Sequence, residues 1–109
     1  MSSILKILGQ IEITSASTEH DLYECVSQNT VISTLFACNR GVDVSDFTVS
    51  ISKGGTSTTN KDYIYYNVPI AGNDTFAATV GFTLSTGDKI RVKSSSTLLT
   101  FSIFGQEIN

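Results

Sequence analysis

The sequence predicts an all-β fold, a single antiparallel β-sandwich or jelly roll of about eight strands spanning residues 1–109. Three observations carry this. Apolar and polar residues alternate at period two, and no stretch shows the 3.6-residue spacing of an amphipathic helix. Clusters of Gly, Asn, Asp and Ser break the alternation at roughly 8–12-residue intervals, where a sandwich needs turns. Ser and Thr fill about a quarter of the chain while charged residues make up only 16%, a composition suited to pleated, uncharged surfaces.

LKILGQIEI opens the chain as an N-terminal strand within residues 1–13. DLYECV follows, and the turn SQNT leads into VISTLFACN as if closing a hairpin. VISTLFACN is apolar at both parities, so it is expected to be a central strand covered on both sides. After NRGVDVSD, the run DFTVSIS turns Phe47, Val49 and Ile51 inward. The segment GGTSTTNKD reads as a flexible polar loop, and KDYIYYNVPIAGNDTF then gathers three of the four tyrosines ahead of the only proline. Simple alternation puts Ile64 and Tyr66 in the core and Tyr63 and Tyr65 outside, while Pro69 marks an edge strand. DTFAATVGFTL is the cleanest strand, with Phe76, Ala78, Val80, Phe82 and Leu84 on one face. DKIRVKS and LLTFSIFG complete the set, and the outward Lys89, Arg91 and Lys93 read as solubilising or edge-protecting charges.

A net charge of −3 and a pI near 4.8 argue against nonspecific nucleic-acid binding. The apolar part of MSSILKILGQIEI is too short for a secretory signal, and no run reaches membrane-spanning length. Cys25 and Cys38 are expected to stay reduced, because a hairpin around SQNT would set Cys25 opposite Ile32, far from Cys38.

Catalytic residue types are sparse. His20 is the single histidine, and its neighbours Glu19 and Asp21 would point to alternate faces of a strand, so no metal site or acid–base set assembles there. Asp43, Asp46, Asp62, Asp74 and Asp88 fall in turn segments, where carboxylates bond backbone amides. Gly54 and Gly55 precede Lys61, but a strand rather than a helix follows, which removes the phosphate-cradle reading. These features predict a non-enzymatic protein with no cofactor, built for binding or assembly. Candidate contacts are the apolar N-terminal residues Ile4, Leu5 and Ile7, the outward Tyr63 and Tyr65, and the loops at 41–46 and 54–60, including Gly54, Gly55 and Thr56.

One longer pattern adds to this. The Tyr-rich segment is followed by Pro69-Ile70-Ala71, Asn73-Asp74-Thr75, then Gly87-Asp88 with Ile90-Arg91-Val92, and Phe104-Gly105 with Glu107-Ile108. Upstream, LYECVSQNTVISTLFACNRG ends in Cys38-Asn39 and Gly41. The whole resembles small bacteriophage virion structural proteins abundant in marine and cyanobacterial phages. It departs from them at CVSQNT, where such proteins often carry a proline. The resemblance implies a protein made in the host cytoplasm and located in the virion. The expected role is a capsid decoration (cement) protein on the outer shell, with the major capsid protein and itself, as a homotrimer, the expected partners. The alternative it implies is a tail, neck or fibre-associated protein recognising a host glycan.

Overall fold

A computed structural model describes residues 5–108. Eight strands form: β1 (Lys6–Glu12), β2 (His20–Glu24), β3 (Asn29–Asn39), β4 (Ser45–Ser52), β5 (Tyr63–Ile70), β6 (Thr75–Ser85), β7 (Lys89–Ser94) and β8 (Leu99–Ile108). They pair antiparallel in two four-stranded sheets, the first ordered β1-β8-β3-β6 and the second β2-β7-β4-β5. Every connection except β4 to β5 crosses from one sheet to the other. This is jelly-roll connectivity, and it brings the two ends of the described chain together, with Lys6 opposite Gly105.

The inward positions of both sheets close over one core. Phe47 from the second sheet sits at its centre, with the rings of Tyr65, Phe76 and Phe101 at 6.1, 5.1 and 5.9 Å. Burying a phenyl group of this size contributes about 1.5–3 kcal/mol. Ile32, Leu35 and Ile103 meet Val49, Ile90 and Val92 across the sandwich. β6 alternates as its sequence predicts, with Phe76, Ala78, Val80, Phe82 and Leu84 inward or sheltered and the residues between them exposed.

β1 and β2 slip in register between Ile7 and Gly9 and between Asp21 and Tyr23. β3, β5 and β4 differ from the sequence expectation, each for a physical reason. In β3 the register slips between Ile32 and Thr34 against both neighbours. The irregularity changes parity, so Ile32 and Leu35 both enter the core although three residues apart. β3 is central, but the apolar residues at the other parity, Val31, Phe36 and Cys38, form a half-buried outer surface and not a second core. In β5 the register slips twice, and Asn67 adopts φ 50 at the first slip. Ile70 and Val68 point to the core, the extra residue reverses the phase, and Tyr65 takes the inward place expected of Tyr66. Tyr66 and Ile64 are exposed. β4 is buried on both faces, because Thr48, Ser50 and Ser52 on its outer side are covered as completely as Phe47 and Val49.

SQNT does not close a hairpin: β2 pairs with β7 and β3 with β6 and β8, so the turn crosses between sheets. Both thiols are free, Cys25 buried and Cys38 half-buried. β7 lies between β2 and β4, so its basic residues do not protect an edge. Pro69 does sit in an edge strand, β5.

Candidate interaction surfaces

Ile4 lies outside the described residues. Leu5 and Ile7 are 71% and 53% exposed at the β1 margin of the first sheet. They line a shallow groove of about 300 Å³ with Phe104, Ser33 and Gly105. Tyr63 is on the second sheet, half-buried, its ring edge-on to Tyr66 at 4.8 Å. Tyr65, expected outside, is a core residue packed on Phe47 and Phe76. The tyrosines therefore divide, one into the core and two into an outward pair of half-buried Tyr63 and exposed Tyr66, and the N-terminal residues lie on the other sheet. The expected contacts do not converge on one site.

The loop carrying Gly54, Gly55 and Thr56 is held, not loose. It contains two 3-10 turns, Lys53–Gly55 and Asn60–Asp62, and Gly54 and Gly55 have φ of 68° and 73°, which glycine adopts without strain. Its anchor is Arg91. That guanidinium donates to the carbonyls of Gly55 and Thr56 at 3.1 and 2.6 Å, to Thr58 Oγ1 at 3.3 Å and to Ser52 Oγ at 3.0 Å. Its Nε bonds Asp21 at 3.1 Å, and Lys89 reaches the other oxygen of the same carboxylate. Only guanidinium offers donors enough, in a planar fork, to hold a loop and a carboxylate at once. At the loop's ends Asp88 accepts from the Gly54 and Ser85 amides, and Asp62 caps the second turn through the Thr59 amide. Asp88 and Asp62 thus take the expected turn role, whereas Asp46 lies within β4.

A second polar joint ties the sheets together near the N-terminal strand. Tyr23 donates its hydroxyl to Glu107 at 2.7 Å, which leaves Thr30 to donate to the Tyr23 oxygen at 2.8 Å. Lys6 completes the joint at 2.9 Å from Glu107. Burial pushes the Tyr23 hydroxyl well above its usual range, while the bonds from Lys6 and Tyr23 hold the Glu107 carboxyl below its own. Asp21 is likewise depressed, first by the Lys89 bond, with Arg91 adding to it.

Both carboxylates release protons more readily folded than unfolded, so the unfolded chain takes up protons first as the solution is acidified. Their stabilisation is fully present above the unfolded carboxylate value, about 4, and is lost as pH falls through the lower folded values. Urea midpoints should be level from pH 7 to about 5 and decline below about 4, with a shallower decline in Glu107→Gln. Midpoints that rise on acidification would contradict this assignment.

The third joint is Asn39, 1% exposed at the end of β3. Its amide nitrogen donates toward the carbonyls of Asp43, Ile70 and Ala71 at 2.9, 3.1 and 3.3 Å, and its oxygen accepts from the Gly41 amide at 2.9 Å. It braces the β3–β4 loop, on which Val42 and Val44 are left 81% and 64% exposed, against the β5–β6 turn.

His20 starts β2 and is bound locally. Its Nε2 accepts from the Thr14 amide, so Nδ1 carries the proton and donates to the Thr18 carbonyl at 2.8 Å. No cluster of three metal-ligating side chains occurs among the described residues.

No protein-family model and no curated protein matches the chain. Solved structures do. The chain matches the crystal structure of the infectious bursal disease virus VP2 subviral particle over 96% of its length, with a TM-score of 0.54 and 9% identity. It shares its fold with a virus particle protein. The structure of the infectious bursal disease virus Gx strain matches over 94% of this chain, also at 0.54, with 7% identity. The chain spans about a third of these proteins, 31% and 32% of their lengths. A pentameric capsid protein isolated from metagenomic phage sequences gives a looser match, with a TM-score of 0.39, 12% identity, and coverage of 92% of this chain and 62% of that one. Sequence reasoning missed Asn39 and the anchoring role of Arg91, although both stand inside the patterns Cys38-Asn39 with Gly41 and Ile90-Arg91-Val92.

Proposed function

We propose that the chain is a non-enzymatic bacteriophage virion structural protein, a decoration protein that binds the outer shell and stabilises capsomer junctions. The observation that carries this reading is the jelly roll itself, closed from eight strands and matched along nearly its whole length by a virus particle protein. Three polar joints support it, because they brace the loops and would let a small domain present rigid surfaces to a neighbour. Its partners are the major capsid protein and copies of itself. The action is mechanical: each bound copy adds buried area between shell subunits, so separating them costs more. Purified protein added to undecorated expanded phage heads is expected to bind at a fixed ratio and raise their melting temperature. Heads that melt unchanged with no protein bound would refute this role.

A further inference from the structure

The two outer faces of the sandwich differ in chemistry. The second sheet carries Asp21, Lys89, Arg91 and Lys93 outward, under the anchored loop. In the first sheet, β3 and β6 contain no charged residue along their whole length, and β8 contains only Glu107. Glu107 pairs in register with buried Thr30 and bonds Tyr23 within the joint between sheets, so it is not on the outer face. What remains outward on these strands is hydroxyl, methyl and phenyl, with the Gln106 amide and the Cys38 thiol. Phe36 and Phe104 lie edge-to-face at its middle, centroids 5.6 Å apart. Beside Phe36 the register places Ser102 on one side and Ala77 on the other, and Thr34 is flanked by Phe104 and Thr79.

We infer that this outer face of the first sheet is where a second copy of the chain packs, as a two-fold pair. The face is uncharged across β8, β3 and β6, with Glu12 at the β1 rim paired to Arg40, so it offers little to a charged partner, whereas against its own copy its centre brings no like charges together. Its short side chains let two sheets approach to the roughly 10 Å of face-to-face packing. The three uncharged strands, ten or eleven residues each, make a face roughly 35 by 14 Å, which with side-chain relief falls at about the small, transient end of specific interfaces. The exposed Ile7 opposite Phe104 continues the same surface to the β1 margin. The free edge of β6, eleven residues without charge or proline, borders it and would be shielded by the pair. The inference stands apart from the virion role, since the pair would form without any shell.

Sedimentation velocity on the purified chain, from about 10 μM to 1 mM, tests it. A monomer–dimer equilibrium is expected. Ala77→Lys and, separately, Thr79→Lys each set a charge against its symmetry mate and should weaken the pair at least about tenfold. Val26→Lys, on the exposed β2–β3 turn, should leave it unchanged. Alkylation reports the same event without mutation: Cys38, on this face, should react more slowly as concentration rises, while buried Cys25 stays protected throughout. A monomer at every concentration, a trimer, or a dimer that survives both lysine variants would overturn the inference. Should one lysine variant fail to fold, the other variant and the Cys38 rate decide.

Discussion

Asn39→Ala is expected to lower stability by about 3 kcal/mol, read as a drop of 10 °C or more in melting temperature. The cost follows from what the side chain leaves behind. Three carbonyls, those of Asp43, Ile70 and Ala71, lose their shared donor, and the Gly41 amide loses its acceptor, in a place with almost no access to water. A buried polar group stripped of its partner costs about 1–3 kcal/mol, and here several are stripped at once. Asn39→Asp sharpens the test. A carboxylate there would face carbonyl oxygens and be favoured only when protonated, so its folded pKa would rise. Its deficit should therefore grow as pH climbs through that raised value and shrink on acidification. Equal stability of the wild type and both variants would show that the bonds around Asn39 contribute nothing net.

Gly105→Ala is the other large effect. A Cβ at Gly105 would stand 2.0 Å from the Val31 carbonyl oxygen and 3.0 Å from the Ile32 Cα. Both obstacles are backbone of the neighbouring strand, and that strand slips in register at this point, so neither can swing aside as a side chain would. Parting β3 from β8 here would disturb the centre of the first sheet, at a cost of about 3 kcal/mol or more. Gly81→Ala is the matched control: a Cβ there meets nothing within 4 Å. Chemical denaturation of the two variants should separate them clearly, and an unperturbed Gly105→Ala would mean that the sheet is far more yielding than its packing implies.

Sequence reasoning reached the architecture because strand alternation and turn chemistry are local signals. β6 shows this best, since its period is unbroken from Phe76 to Leu84. It failed where one residue changes the phase. The slip around Ser33 and the left-handed Asn67 leave no mark in hydropathy, yet they decide which of Ile32, Leu35, Tyr65 and Tyr66 meet the core. The basic run on β7 was legible as an outward face, but not as the anchor of a loop more than thirty residues earlier in the chain. Such a contact exists only once strands distant in sequence are brought side by side. The short motifs singled out in the sequence turn out to hold joints: Asn39 and Gly41, Asp88 and Arg91, Gly105 and Glu107. They maintain the sandwich, while the residues expected to make contacts, Leu5 and Ile7 on one sheet and Tyr63 on the other, do not converge.

The position of β8 between β1 and β3 also governs how the protein must come into being. During synthesis, β3 can pair with β6 and the second sheet can assemble, but β1 has no partner in its own sheet until Leu99–Ile108 has emerged. The first sheet then closes last, by inserting a strand between two already made, and nearly a hundred residues separate the segments that meet. Search over such separations places folding in the slow, millisecond-to-second range of all-β domains. Until that insertion, two open flanks are presented to every neighbouring nascent chain. High-level production therefore calls for slow synthesis or low temperature, with the final strand as the step to protect.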